Sequence, residues 1–205
     1  MKTMTVEQLY EKLCSKAFQD PRNGDLHYNY FMFQYDATKE YDMLRQIDDI
    51  REKIRRPNNN VDVLLLDLFE EFTAFLDGRS FGRKWNSYKD YLINKEQTMK
   101  KEVETSLRDL ANSDDFMQFL HQRIMAHVSK NDDEMIRPYV FVYGVGAMFP
   151  YLRVNNLLVR YEAQNKSSLY KLIIFYPGEQ KGNTYKLFGK LEDDHTYRAS
   201  LLINE

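Results

Sequence analysis

The chain has 205 residues, 43% hydrophobic and 14% aromatic, with 15 Tyr and 13 Phe, a content of apolar and ring-bearing side chains that excludes an intrinsically disordered polymer and can fill one sizeable core. Its 29 basic and 31 acidic residues leave a net charge of −2, which excludes a global field drawing the protein onto DNA or an anionic membrane, although a local patch stays open. The single cysteine, Cys14, excludes an internal disulfide and fits a reducing compartment.

The opening MKTMTVEQLYEKL has no uninterrupted apolar stretch and does not read as a secretory signal. Thr5-Val6-Glu7-Gln8 has capping-box spacing, and Val6, Leu9, Tyr10, Leu13 and Ala17 follow at helical intervals. Asp20-Pro21-Arg22-Asn23-Gly24-Asp25 breaks that helix. The aromatic run YNYFMFQY, 28–35, predicts a strand. Tyr41, Leu44, Ile47, Ile50 and Ile54 predict a helix over 38–55, stopped by Pro57 and three asparagines. The stretch VDVLLLDLFEEFTAFLDG repeats this grammar: a buried strand over 61–66, a helix over 68–76, and Gly78 as C-terminal cap.

Residues 79–86, RSFGRKWN, form a loop in which Arg79, Arg83 and Lys84 alternate with Phe81 and Trp85. That mixture suits a partner protein or a single-stranded nucleic acid, and equally a solvated loop anchored by its Trp. The polar segment 87–111 keeps apolar residues three and four apart, and a helix follows over 115–129, so 87–130 reads as a helical insert. Next come a strand over 139–143, a glycine turn, a helix over 150–164 with Pro150 near its first position, and a strand over 169–175 stopped by Tyr176-Pro177-Gly178-Glu179. Two short strands, 184–190 and 196–203, with only a short connection, predict an antiparallel hairpin at an edge.

Strands alternating with helices predict one α/β domain over 1–205, a mostly parallel sheet flanked by helices, with the helical insert and the C-terminal hairpin as additions. The longest apolar runs are of strand length, short of the ~20 residues of a membrane span, so a cytoplasmic protein without a membrane segment is expected.

Strand, glycine turn, helix is also how phosphate loops are built, and YVFVYGVGAMFP follows that order. A dinucleotide fingerprint needs a third glycine where Ala147-Met148-Phe149 stands, and a P-loop needs Gly-Lys-Ser/Thr after Gly146. The simpler reading is a tight turn into a helix. It still lies at the carboxyl end of a strand, where ligands of open α/β sheets gather. Glu179 falls at the same edge and with Arg153 suits an ion pair or a polar ligand. Glu192, Asp193, Asp194 and His195 are metal-ligand types, but consecutive acids in a hairpin loop are chiefly turn formers, and their spacing matches no zinc or calcium pattern. His27, His121 and His127 are scattered, and no HExxH or GxSxG occurs. Neither a metal nor another cofactor is expected, and no catalytic residue is assigned.

Three blocks in order, YVFVYGVGAMFPYLRVNNLL, LIIFYPGE and LFGKLEDDHTYRASLLI, resemble the BrxB family, the small B component of BREX (bacteriophage exclusion) systems. Gly144, Gly146, Pro150 and Arg153 match the family's first block. Pro177, Gly178 and Glu179 match the second. Phe188, Gly189, Asp193, Asp194, Tyr197 and Arg198 match the third. The best-matching core is 137–203, and VDVLLLDLFEEF is similar as well. The resemblance implies cytoplasmic antiphage defence and partners: the phosphatase-like component PglZ most directly, with the methyltransferase and ATPase components in a wider assembly. It carries over no catalytic activity.

Three functions are therefore open. The first is a non-catalytic adaptor working through protein contacts. The second is a degenerate P-loop-like binder of nucleotide or phosphate, with a strand-edge groove of Gly144, Gly146, Arg153, Glu179 and Arg198. The third, a DNA-binding subunit, has the near-neutral charge against it as a stand-alone activity. Phe81 and Trp85 are further candidates for partner contact.

Overall fold

The computed structural model describes residues 4–19, 29–56, 61–130, 138–164, 169–181, 184–193 and 200–201. Its centre is a parallel sheet of β1 (Tyr30–Tyr35), β2 (Val63–Asp67), β3 (Tyr139–Tyr143), β4 (Lys171–Lys181) and β7 (Ser200–Leu201), in the order β2-β3-β4-β1-β7. The antiparallel strands β5 (Thr184–Leu187) and β6 (Leu191–Asp193) extend it from β4. The α/β architecture expected from the alternation of strands and helices is the one found.

The central strands are apolar at almost every position because helices cover both faces. Side chains alternate between the faces, so each strand feeds two cores. Phe31, Phe33, Phe141, Ile173 and Phe175 pack on one face with α1 (Val6–Cys14) and α3 (Glu40–Ile54), through Leu9, Leu13, Met43, Ile47, Ile50 and Ile54. Met32, Leu66, Val140, Val142, Leu172 and Ile174 pack on the other, against α4 (Leu68–Asp77), α7 (Asp114–Val128) and α8 (Val154–Gln164).

Local chemistry sets the helix starts. Thr5 accepts from the Gln8 amide while the Gln8 side chain accepts from the Thr5 amide, the reciprocal capping box read from the sequence. Ser87 and Ser113 cap α5 (Tyr88–Glu96) and α7 by accepting from the Asp90 and Phe116 amides. A short α2 (Lys16–Gln19) follows α1.

Four details differ from the sequence reading. Residues 87–111 form two helices, α5 and α6 (Lys100–Ala111), broken at 97–99, because each buries a different set of residues and the connection lets α6 turn onto α7. Helix α8 begins at Val154, not at 150. Before it, successive turns close from Ala147 to Gly144, Phe149 to Gly146 and Leu152 to Met148, and they bury Val145, Met148 and Leu152. Pro150 lies in these turns after a cis peptide bond.

Nor does Pro177-Gly178-Glu179 end β4, which runs to Lys181. The Leu172 amide donates to Asn29, beside β1, and the Lys171 amide to Pro138, beside β3, so odd-numbered β4 residues address the β3 side. Register with β3 ends at Ile174, and pairing with β5 begins at Gly178. Pro177 falls at the change of partners, where its missing N–H breaks no ladder bond. Finally, β7 does not pair with β5. It lies parallel to β1 at the far edge, while the antiparallel partners of β5 are β4 and β6. Two strands close in sequence were separated because the open edge of β1 accepts a parallel strand.

Candidate functional site

The carboxyl ends of β2 and β3 lie side by side, with Asp67 in register with Tyr143, and β4 runs on past them. Asp67 ends β2 and caps α4, its Oδ1 accepting from the Phe69 amide at 2.9 Å and the Glu70 amide at 3.2 Å. This carboxylate also abuts the glycine turn. Gly144 has φ +71, which glycine adopts freely, and a Cβ built there would stand 2.8 Å from Asp67 Oδ1. Burial raises the pKa of the adjacent Tyr143, and the negative charges of Asp67, Glu70 and Asp48 add to the rise. Arg51 opposes these charges.

Gly146 is covered by another of the matched residues. A Cβ there would lie 2.6 Å from Phe188 Cζ and 3.6 Å from Pro177 Cγ. Phe188 sits in the turn between β5 and β6, which is closed by the Lys190 amide donating to Leu187 at 3.1 Å. Both central residues have positive φ, Phe188 at 55 and Gly189 at 69, the type I′ pattern that favours Asn-Gly. The Phe188 amide donates to the Pro177 carbonyl at 2.8 Å. Gly178 lies so close to β5 that a Cβ would stand 2.2 Å from the Lys186 carbonyl oxygen. Gly144, Gly146, Pro177, Gly178 and Phe188, drawn from three separate blocks of sequence, therefore meet in one place.

The other candidates fall around or away from it. Glu179 is half-buried and in register opposite Lys186. Arg153 is exposed, its guanidinium 5.9 Å from the centre of the Phe149 ring. It lines two neighbouring depressions. One is apolar, with Phe149, Tyr176, Leu187 and Leu191. The other is a polar concavity of about 320 Å³ with Arg108, Asn112, Pro150, Tyr151 and Asn156. Arg198 lies outside the described residues, as do Asp194 and His195 of the acidic cluster.

Phe81 and Trp85 lie between α4 and α5, joined by an isolated antiparallel bridge. Both are half-buried, and their rings pack on Tyr91 with centroids 4.2 Å and 6.0 Å away. Lys84 lies over Trp85, 5.1 Å from the ring centre, and Arg79 pairs with Asp115 at 2.9 Å. His121 and His127 point to different places, as their spacing predicts. His121 Nδ1 is 3.3 Å from the Tyr161 hydroxyl, and His127 Nε2 is 3.0 Å from Asp62 Oδ2.

Two contributors were missed in the sequence. Asp67 was legible as an N-cap, standing between an apolar run and LFEE, but its approach to Gly144 is a tertiary fact. Phe188 was matched as a residue, while its backbone conformation and its place over Gly146 leave no local signal. Among the described residues, no group of three His, Cys, Asp or Glu side chains is arranged to hold a metal ion. No described helix is long and apolar enough to cross a membrane.

A family model described as BREX protein BrxB matches residues 64–202. A BREX protein BrxB from Bacillus cereus (strain H3081.97) is 24% identical over 211 residues, covering 98% of this chain and 96% of that protein. No solved structure matches the chain.

Proposed function

The chain belongs to the BrxB family, a component of BREX phage defence, and on that premise we propose that it works as a non-catalytic adaptor of a cytoplasmic BREX complex, through contacts with the PglZ-like component and, in a wider assembly, the methyltransferase and ATPase components. The observation that carries this reading is the filling of the glycine turn by the protein's own groups. Asp67 stands against Gly144 and the Phe188 ring stands over Gly146. Two of the amides that a phosphate loop would offer its ligand are engaged within the turn, Ala147 donating to Gly144 and Phe149 to Gly146.

An adaptor needs more than one face. The strand-end edge with Arg153 and Glu179 is one, and the half-buried Phe81 and Trp85 in their basic loop offer a second. A pull-down from cells carrying the complete defence operon tests the reading. Retention of the PglZ-like component at micromolar concentration and physiological salt is expected, and separation of the two sinks the direct-adaptor version.

The alternative, a nucleotide or phosphate site at Gly144 and Gly146, has the Asp67 carboxylate beside Gly144 against it, because phosphate would meet a like charge there. A stand-alone DNA-binding role has the net charge of −2 against it.

A further inference from the structure

Residues 79–86 carry three cations, Arg79, Arg83 and Lys84, and no carboxylate. The loop they form is held in one shape. The Tyr88 amide donates to the Arg79 carbonyl at 2.8 Å and closes its base. An antiparallel bridge joins Phe81 to Trp85 and leaves Gly82-Arg83-Lys84 as a tight turn at the tip, with Gly82 at φ 63. The Phe81 ring packs on Tyr88 and Tyr91, at 4.8 Å and 4.2 Å between centres, and fastens the turn to α5.

The cations here are of two kinds. At the base of the loop Arg79 pairs with Asp115 at 2.9 Å, and Lys89 in the first turn of α5 pairs with Asp77 at 2.8 Å. At the tip Arg83 and Lys84 are exposed, and neither makes an ion pair among the described residues. Lys84 stands 5.1 Å from the centre of the Trp85 ring, a contact that leaves its ammonium able to donate to an anion. Lys95, one helical turn after Tyr91 on the same side of α5, is a third cation without an ion pair. Arginines elsewhere are treated differently: Arg45, Arg51, Arg108, Arg123 and Arg160 each meet an acid. Anchoring the loop accounts for Phe81 and Trp85. It does not account for two adjacent uncompensated cations at the tip.

We propose that the turn at 82–85 and the adjoining face of α5 dock a short acidic segment of a partner protein, whose carboxylates meet Arg83, Lys84 and Lys95 while an apolar side chain rests on the half-buried rings of Phe81 and Trp85. The inference deepens the adaptor reading and rests on it. Charge selects the sign of the occupant, and the Arg83 guanidinium matches a carboxylate in two-point geometry. The surroundings select its kind. A nucleic-acid strand needs ring faces open for base stacking and a cationic track along its backbone. Phe81 and Trp85 both pack on Tyr91, and Lys84 stands over Trp85, so these rings are engaged with one another and with a cation. Asp77 and Asp115, each more than half exposed, are fixed at the base of the loop by Lys89 and Arg79, and successive phosphates would run into them. A short acidic segment stays on the tip and avoids both. Because the turn is already closed, little ordering is left for binding to impose.

The experiment measures binding of the full-length chain to the PglZ-like component of its own operon at two salt concentrations. Arg83→Glu and Lys84→Glu should each weaken binding at least about fivefold and reduce its salt dependence, with little change in melting temperature. Lys53→Glu makes the same charge change on α3, across the sheet from α5, and should leave affinity unchanged. If the wild type binds and both tip reversals bind equally well, this inference is overturned and the adaptor reading stands. If Lys53→Glu weakens binding as much as they do, the effect belongs to overall charge and the inference is likewise overturned. If the wild type fails to bind, both readings fall. If the reversals keep the protein partner but release a single-stranded oligonucleotide that the wild type holds, the inference is overturned in favour of nucleic acid. Should either reversal melt early, Arg83→Gln and Lys84→Gln, which remove a charge without adding one, decide in its place.

Discussion

The carboxylate of Asp67 occupies the space into which a side chain at Gly144 would grow, its Oδ1 2.8 Å from that position. One acid thus caps α4 and stands against the glycine turn. Two consequences can be measured. Gly144→Ala, with both positive φ and this contact against it, should destabilise the fold by about 1–3 kcal/mol in urea unfolding. Asp67→Ala should cost about 1 kcal/mol as a lost cap.

The same contact bears on the nucleotide alternative. A ligand at about 100 times its dissociation constant would add roughly 2.7 kcal/mol to stability. The expected result of a thermal-shift screen with millimolar ATP and magnesium is no shift. A clear rise in melting temperature would revive the phosphate-loop reading.

The two close glycines should differ sharply. At Gly178 an added Cβ would meet the Lys186 carbonyl, a backbone atom within the β4–β5 ladder, at 2.2 Å. At Gly146 it meets the far end of the Phe188 side chain, and a ring already 40% exposed can swing outward. Gly178→Ala should therefore cost about 3 kcal/mol and Gly146→Ala under about 1 kcal/mol, compared by urea midpoints. Equal losses would show that the Phe188 ring is held as rigidly as backbone.

Tyr139 ties the first helix to the sheet. It is fully buried, and its hydroxyl donates to the Leu13 carbonyl at 2.8 Å. Tyr139→Phe keeps the ring packing and leaves that carbonyl without the bond. A loss of about 1–2 kcal/mol is expected, with amides of α1 losing hydrogen-exchange protection more than those of β3.

Acid should weaken the fold before the carboxylates titrate. Burial lowers the pKa of His127, against an opposing effect from Asp62, and burial also lowers that of His121. A depressed pKa means that the native state binds fewer protons than the unfolded chain. The stability is complete above the ordinary histidine value of about 6.5 and is lost as pH falls from there through the native value. Urea midpoints at pH 7.5 and 5.5 should differ for the wild type and differ less for His127→Gln. An identical pH response in the variant would remove His127 from the account.

Strands and helices that bury apolar residues at a regular period were legible in the sequence: YFMFQY, VLLLD and YVFVY became β1, β2 and β3, and the Thr5 capping box formed as written. What resisted reading depends on a neighbour remote in sequence. Pro177 is a strand breaker by local rules, and it is harmless only because β3 ends and β5 begins beside it. The placement of β7 beside β1 follows from an open edge that no local pattern announces. Of the candidate site, the glycine turn and the Pro-Gly segment were visible as punctuation. Their meeting under Phe188, and the convergence of Arg108 with Arg153, come from crossovers that bring separate stretches to one sheet end.

The central pairing, Tyr30 with Leu172, joins strands from opposite ends of the sequence. During synthesis the aromatic side chains of β1 have no β4 neighbour until about 140 further residues have been made, and loop closure over that distance is slow. Phe31 and Phe33 must wait in solvent or in a chaperone for β4 to arrive, so the yield of native protein in the cell should depend more on holding the nascent chain than on the stability of the finished fold.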